Sequence, residues 1–194
     1  MMNKKYIALL SVLFLVSCAS TTPPRSPENM CDILDEKPDW GIALEKTRDK
    51  WGAPPQIVLS ILYQESSFKH DAKPPKDYFL GIIPMGRVSS AYGYPQAKDE
   101  VWGDYKKENQ LSFVSRDNFA DAVDFVGWYM HKSQSVNGIS KWDAYHQYLN
   151  YHEGWGGYSR GTYHSKGWLL NVAKKVQQRA EQYGAQYMSC RVSL

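Results

Sequence analysis

Residues 54–68, PPQIVLSILYQESSF, read as one helix. Pro54 and Pro55 suit a first helical turn, and the run Ile57 to Tyr63 that follows is apolar apart from Ser60, with Gln64 and Glu65 after it. At the helical period of about 100° per residue, with Glu65 at zero, Val58 falls at about +20°, Ile61 at about −40°, Leu62 at about +60° and Phe68 at about −60°. Glu65 therefore lies in the middle of the apolar stripe. Glutamate is almost never fully buried unless paired. A carboxyl against apolar walls is disfavoured as the anion, so its pKa rises. A raised pKa keeps a proton available near neutral pH, as a general acid requires. The other reading is a structural glutamate bonded to arginine or to backbone amides, and this helix alone does not choose.

The flanking sequence is also helical in pattern. Asp39 is placed to cap a helix ending at about Trp51, before Gly52. Residues 69–90 are irregular, with Pro74, Pro75, Gly81, Pro84 and Gly86; Tyr78 to Ile83 is a candidate strand or hairpin arm. A helix is expected from about Gln96 to Lys107. Asp117 is placed to cap another through about Lys132, with Phe119, Ala122, Val123, Val126 and Met130 on one face. Ser140 is placed to cap one through His152, stopped by Gly154, and the last helix runs from about Ser165 to Tyr183. The fold class expected is mainly α, with at most a small β-hairpin.

Two segments bear on Glu65. Ser89-Ser90-Ala91-Tyr92-Gly93-Tyr94-Pro95-Gln96 is turn-forming and carries two aromatics and an amide. Residues 142–168 hold Trp142, Tyr145, Tyr148, Tyr151, Trp155, Tyr158, Tyr163 and Trp168. Each of these aromatics taken singly reads as core. Their surplus beside a candidate acid points to a carbohydrate groove, because aromatic faces stack on sugar rings while hydroxyls and amides bond the polar rim.

The chain has 194 residues, 43% hydrophobic, 14% aromatic and 22% charged, with a formal charge of +3. This suits one domain with a buried core. There is no long basic run and no zinc-type Cys/His spacing, so nucleic acid is not an expected partner. Lys4 and Lys5 precede a ten-residue apolar run, Ile7 to Val16, too short to span a membrane and of the length of a signal-peptide core. It ends in Leu15-Val16-Ser17-Cys18, which resembles a bacterial lipobox; the alternative is a plain secretory signal with an incidental cysteine. The expected organisation is a signal peptide over 1–17, a flexible Ser/Thr/Pro-rich tether over 18–30 beginning at lipidated Cys18, and a domain over 31–194. Ala19 follows Cys18, and by resemblance to Gram-negative sorting that implies the periplasmic face of the outer membrane. Cleavage before Cys18 leaves a charge of +1, since only Lys4 and Lys5 are lost. Cys31 and Cys190 then remain, one at each end of the domain. An exported compartment favours their bridging, worth on the order of 5 kcal/mol in the loop-entropy model; two free thiols are the alternative.

Glu65-Ser66, then Ala91-x-Gly93-x-x-Gln96, then Tyr151 near Gly154, resemble the three-motif pattern of the soluble-lytic-transglycosylase (SLT, goose-lysozyme-like) domain family, over about residues 40–183. The resemblance implies a lysozyme-like helical fold acting on peptidoglycan glycan strands. It implies Glu65 as the single catalytic acid/base, with Ser66, Ser89, Ser90, Tyr92, Gln96, Tyr151 and Glu153 as substrate-site residues and Tyr151 orienting the glutamate. Tyr94-Pro95 replaces the usual Leu-Met before Gln96. His152 stands where Asn is usual, and Glu153 where a small residue often sits. Arg87 occupies the place of a serine nine residues before Gln96, so that Ser89 or Ser90 must replace it or the role is absent.

The implied reaction cleaves after N-acetylmuramic acid and leaves a 1,6-anhydro end. The alternatives are a hydrolytic muramidase, with Glu153 or Asp71 as second carboxylate, and a non-catalytic peptidoglycan-binding lipoprotein. No cofactor or metal is implied: His131, His146, His152 and His164 lack i, i+4 metal spacing, and no HExxH, GxSxG or phosphate-cradling GxxxxGK[ST] motif occurs. No protein partner can be named.

Overall fold

The computed structural model describes residues 21–79 and 82–190. The expected signal peptide and Cys18 lie outside the described residues. Among them are seven α-helices and one hairpin: α1 Met30–Glu36, α2 Pro38–Trp51, α3 Pro55–Ser66, β1 Lys76–Phe79, β2 Ile83–Arg87, α4 Asp99–Glu108, α5 Phe119–Asn137, α6 Ala144–Ser159 and α7 Gly167–Cys190, with a 3₁₀ turn at Thr162–Ser165. The mainly α expectation holds.

Helix α3 is the centre. Pro55, Ile57, Val58, Leu59, Ser60, Ile61 and Leu62 are all buried, as befits a helix apolar on nearly every side. It packs on α7, α5 and α2; α2 also packs on α5, and α6 on both α5 and α7. An aromatic cluster fixes its end. Trp40 of α2 stacks on Phe119 of α5 at 3.7 Å, and Phe68 and Tyr94 approach Trp40 at 5.4 and 5.8 Å. β1 and β2 pair antiparallel, with a register shift between Asp77 and Tyr78.

Several boundaries differ from expectation, each for a local reason. Asn118, not Asp117, caps α5 by accepting from the Asp121 amide at 3.1 Å; Asp117 accepts from the Tyr92 hydroxyl instead. Asp143, not Ser140, caps α6 through the His146 amide at 3.0 Å. Helix α4 starts at Asp99 because Gln96 takes a left-handed φ of 47° in the turn closed by the Tyr92–Ala97 bridge. Helix α7 continues past Tyr183 to Cys190, since Tyr187 extends its buried face.

The expected tether is docked over its second half. Pro24 and Met30 are buried. Glu28 pairs with Arg179 and accepts from Tyr63 Oη at 2.9 Å, while its carbonyl accepts from Gln182 and Gln186. The Tyr183 hydroxyl donates to the Pro27 carbonyl. A polar, proline-rich segment is thus held by side chains of α7 that satisfy its backbone.

Cys31 and Cys190 form a disulfide, with Cα atoms 5.7 Å apart and a separation of 159 positions in sequence. Replacing both by serine is expected to lower unfolding free energy by about 2–5 kcal/mol while leaving glycan cleavage intact. Denaturant unfolding beside an activity assay checks this; an unchanged midpoint would show that the bridge adds nothing to stability.

Candidate active site

Glu65 sits in the last turn of α3, on the wall of a cavity of about 350 Å³. The helix ends abruptly beyond it. Ser67 and Phe68 both hold left-handed backbone, φ 51° and 61°, a conformation that costs energy in non-glycine residues. Burial of the Phe68 ring against Trp40 and Tyr63 offsets that cost and fixes the helix end.

The opposite wall comes from α5 and α6. Phe125, Tyr129 and Tyr151 supply aromatic surface; Tyr129 stacks on Trp155 at 4.6 Å and meets Tyr151 edge-on at 4.9 Å. Gly154 on the same wall has φ 74° and ψ 162° and kinks α6, which resumes to Ser159. The expected stop there is therefore a bend. Ala97, Lys98, Glu100 and Val101 form the third side.

Removal from water among these rings pushes the Glu65 pKa up to about 7, against a hydrogen bond from the Tyr148 hydroxyl that lowers it. Tyr148 is buried in α6 behind the carboxyl. The proximity of Glu65 also keeps the Tyr148 phenol well above its ordinary range, after burial as the larger cause.

Tyr151, the tyrosine expected to orient Glu65, lies close enough to feel its charge, while the hydroxyl that lowers the Glu65 pKa by hydrogen bonding is that of Tyr148, one turn earlier. The Tyr151 hydroxyl donates to the Pro95 carbonyl at 2.6 Å and so ties α6 to the loop carrying Gln96. Gln96 does line the cavity, and its Nε2 donates to the Ala72 and Gly93 carbonyls, both at 2.9 Å. Gly93 has φ 73°, and a Cβ there would lie 2.2 Å from the Arg116 carbonyl oxygen, so this loop requires glycine.

Four other expected contacts do not reach the cavity wall. Ser66 is buried, and its hydroxyl donates to the Leu62 carbonyl of its own helix. Ser89 Oγ accepts from the Ala91 amide and Ser90 Oγ from the Asp99 amide. The Tyr92 hydroxyl donates to Asp117. Ser89, Ser90 and Tyr92 shape the loop that presents Gln96.

Glu153 lines the cavity but is already partnered. Lys166 Nζ donates to both its carboxylate oxygens at 2.7 and 2.9 Å, His152 Nδ1 lies at 3.1 Å, and Thr162 donates as well. Burial works to raise its pKa, yet the hydrogen bonds from Lys166, Thr162 and His152 and the Lys166 charge outweigh it and bring it down to about 2. Asp71 is exposed and outside the wall.

Because that pKa is depressed below the ordinary 4.5, the pair contributes stability above about pH 4.5, lost as pH falls toward 2. Lys166→Met is expected to destabilise the fold at pH 7 by about 2 kcal/mol, discounted from the fully buried case because Lys166 is partly exposed. The gap to the parent should narrow in acid. Urea unfolding at pH 7 and pH 3 checks this; a gap independent of pH would mean that the loss is one of packing.

Among the described residues, no group of three His, Cys, Asp or Glu is placed to hold a metal, and no helix is long and apolar enough to cross a membrane.

A family model described as "Transglycosylase SLT domain" matches residues 6–190. The chain belongs to the transglycosylase SLT domain family. No curated protein and no solved structure matches it. As a transglycosylase SLT domain it has the family's mainly α, lysozyme-like build, and peptidoglycan transglycosylation is the general activity that membership brings.

Sequence reasoning counted Tyr148 only among the surplus aromatics and gave it no role, and it missed Phe125, Tyr129, Lys98 and Glu100. For Tyr148 a signal was present: it lies three residues before Tyr151, hence on the same helical face.

Proposed function

We propose that this transglycosylase SLT domain is a lytic transglycosylase cleaving the β-1,4 bond between N-acetylmuramic acid and N-acetylglucosamine, held by lipidated Cys18 at the periplasmic face of the outer membrane. The observation that carries the reaction is the contrast between two carboxyls on one cavity. Glu65 is desolvated, with a pKa near 7, while Glu153 is locked as an anion by Lys166. One proton-carrying carboxyl suits chemistry that uses a single acid and then base.

Protonated Glu65 gives its proton to the glycosidic oxygen, and the C1–O bond breaks, releasing N-acetylglucosamine with a free 4-hydroxyl. The resulting Glu65 carboxylate takes the proton from the C6 hydroxyl of the muramic acid residue as O6 attacks C1. The 1,6-anhydro ring closes, Glu65 is reprotonated and no water is consumed. The internal nucleophile is effective because it is already held beside C1. Tyr148 supports the carboxylate formed midway by donating to it.

A hydrolytic reading needs a second carboxylate to position water. Glu153 is engaged and Asp71 lies off the wall. Glu100, exposed in the first turn of α4, is the candidate that remains on the wall. Mass spectrometry of digested sacculi decides between the two. Lytic cleavage gives fragments one water lighter than hydrolysis, and anhydro ends are the expected product. Reducing ends alone would overturn the lytic reading in favour of a muramidase. For the location, labelled fatty acid should enter the wild-type protein and not a Cys18→Ser variant; equal labelling would remove the anchor.

A further inference from the structure

A second groove, larger than the Glu65 cavity at about 650 Å³, opens at the other end of α3 and α6. Gln56 in the first turn of α3 lines it, while Glu65 is nine residues further along, about 13 Å of helix. Trp142, Tyr145 and His146 bound it at the start of α6, and Gln177 and Glu181 bound it from α7.

The chemistry of its wall is specific. Trp142 is 72% exposed, unusual for the side chain with the most apolar surface to hide. The Trp142 indole N–H, the Tyr145 hydroxyl and the Gln56 amide form no hydrogen bond among the described residues. Around them stand two pairs of planar polar groups: Gln177 donates to Glu181 at 2.9 Å, and His146 Nδ1 lies 2.7 Å from Asp143. The apolar part of the wall is Ile57, Ala144 and Ala180, all buried, so the groove offers no row of apolar sockets for a helical peptide. With two carboxylates and no lysine or arginine on the wall, it does not suit a polyanion.

An exposed flat ring edged by unpartnered amide, hydroxyl and indole N–H groups fits an uncharged, polyhydroxylated ligand. We propose that this groove is a second, non-catalytic saccharide site for N-acetylated amino-sugar strands, with Trp142 as the stacking platform and Gln56 and Tyr145 as hydrogen-bonding partners. It would hold a glycan segment apart from the one being cut. The choice of amino sugar rests on the peptidoglycan reading above; the site itself does not depend on Glu65.

The test is an NMR titration of isotope-labelled protein carrying Glu65→Gln, with the tetramer of N-acetylglucosamine as probe. The Trp142 indole and Gln56 amide signals are expected to shift saturably, and Trp142→Ala to weaken binding at the groove at least about tenfold. Shifts confined to the signals of Gln96 and Tyr148 would overturn the second site while leaving the cavity reading in place, and that is the pattern expected if the groove takes a polypeptide. Shifts at Trp142 and Gln56 alone would support the groove and count against the cavity. Equal groove affinity in Trp142→Ala would also overturn the proposal.

Discussion

Glu65→Gln is expected to abolish glycan cleavage, with turnover down by at least about 10²–10⁴-fold, in a protein that folds like the parent. The amide keeps the size of the carboxyl and sits in the same turn of α3, but it neither gives nor takes the proton. The stability effect has a definite sign. Glu65 has a folded pKa raised from 4.5 to about 7. The folded state therefore holds its proton more tightly than the unfolded chain, and the parent loses stability as pH rises from about 4.5 through 7. Glutamine does not ionise and escapes that loss. At pH 8 the variant should be the more stable protein, by up to about 3 kcal/mol, with the difference shrinking toward pH 4. Thermal unfolding across that range, beside a sacculus-digestion assay, reads both effects. A well-folded variant that still releases muropeptides would sink the assignment of Glu65.

Tyr148→Phe is expected to have the next largest effect. It removes the hydroxyl that donates to Glu65 and leaves a buried ring otherwise unchanged. Without that donor the carboxylate is less favoured, so the Glu65 pKa rises further. Activity that needs protonated Glu65 at the start declines with rising pH near 7 in the parent, and this descending limb should move to higher pH in the variant. Turnover itself should fall by up to about 10²-fold, because the carboxyl loses the contact that aims it. Tyr151→Phe is the comparison. Its hydroxyl bonds the Pro95 carbonyl, so its loss should raise KM through the Gln96 loop and leave the limb in place. A limb that moves for Tyr151→Phe and stays for Tyr148→Phe would reverse the two roles.

Glu65 was legible because it breaks a pattern: an ionisable group centred on an apolar stripe needs an explanation, and the cavity supplies it. Tyr148 was legible only as a neighbour of Tyr151 on one helical face; its contact with the carboxyl was not, since a tyrosine in an aromatic-rich helix looks the same whether its hydroxyl meets water, a carbonyl or a carboxyl. Ser66 misled for a similar reason. A serine that bonds back to the carbonyl four residues earlier cannot be told by composition from one that faces substrate. Helix α3 stood out through its continuous apolar run, whereas α1 has only seven residues and depends on Asn29 accepting from the Cys31 and Asp32 amides. The Pro/Ser-rich stretch before it reads as unable to bury anything. Its order comes from Arg179, Gln182 and Gln186 of α7, more than 150 residues away in sequence, and no local pattern records such partners.

The disulfide has a mechanical side. If the anchor proposed at Cys18 holds the protein to one layer of the cell envelope while the cavity holds glycan in another, tension enters the fold near residue 21. Such a pull can peel residues 21–30 from α7, but at Cys31 it meets a covalent ring closed at Cys190. Beyond that point the load divides between α1 and the C-terminal end of α7, two elements that supply no wall to the cavity. The catalytic helices are thereby kept from being drawn out one after another from the tethered end, and Glu65 and Tyr148 stay in register while the protein is under strain.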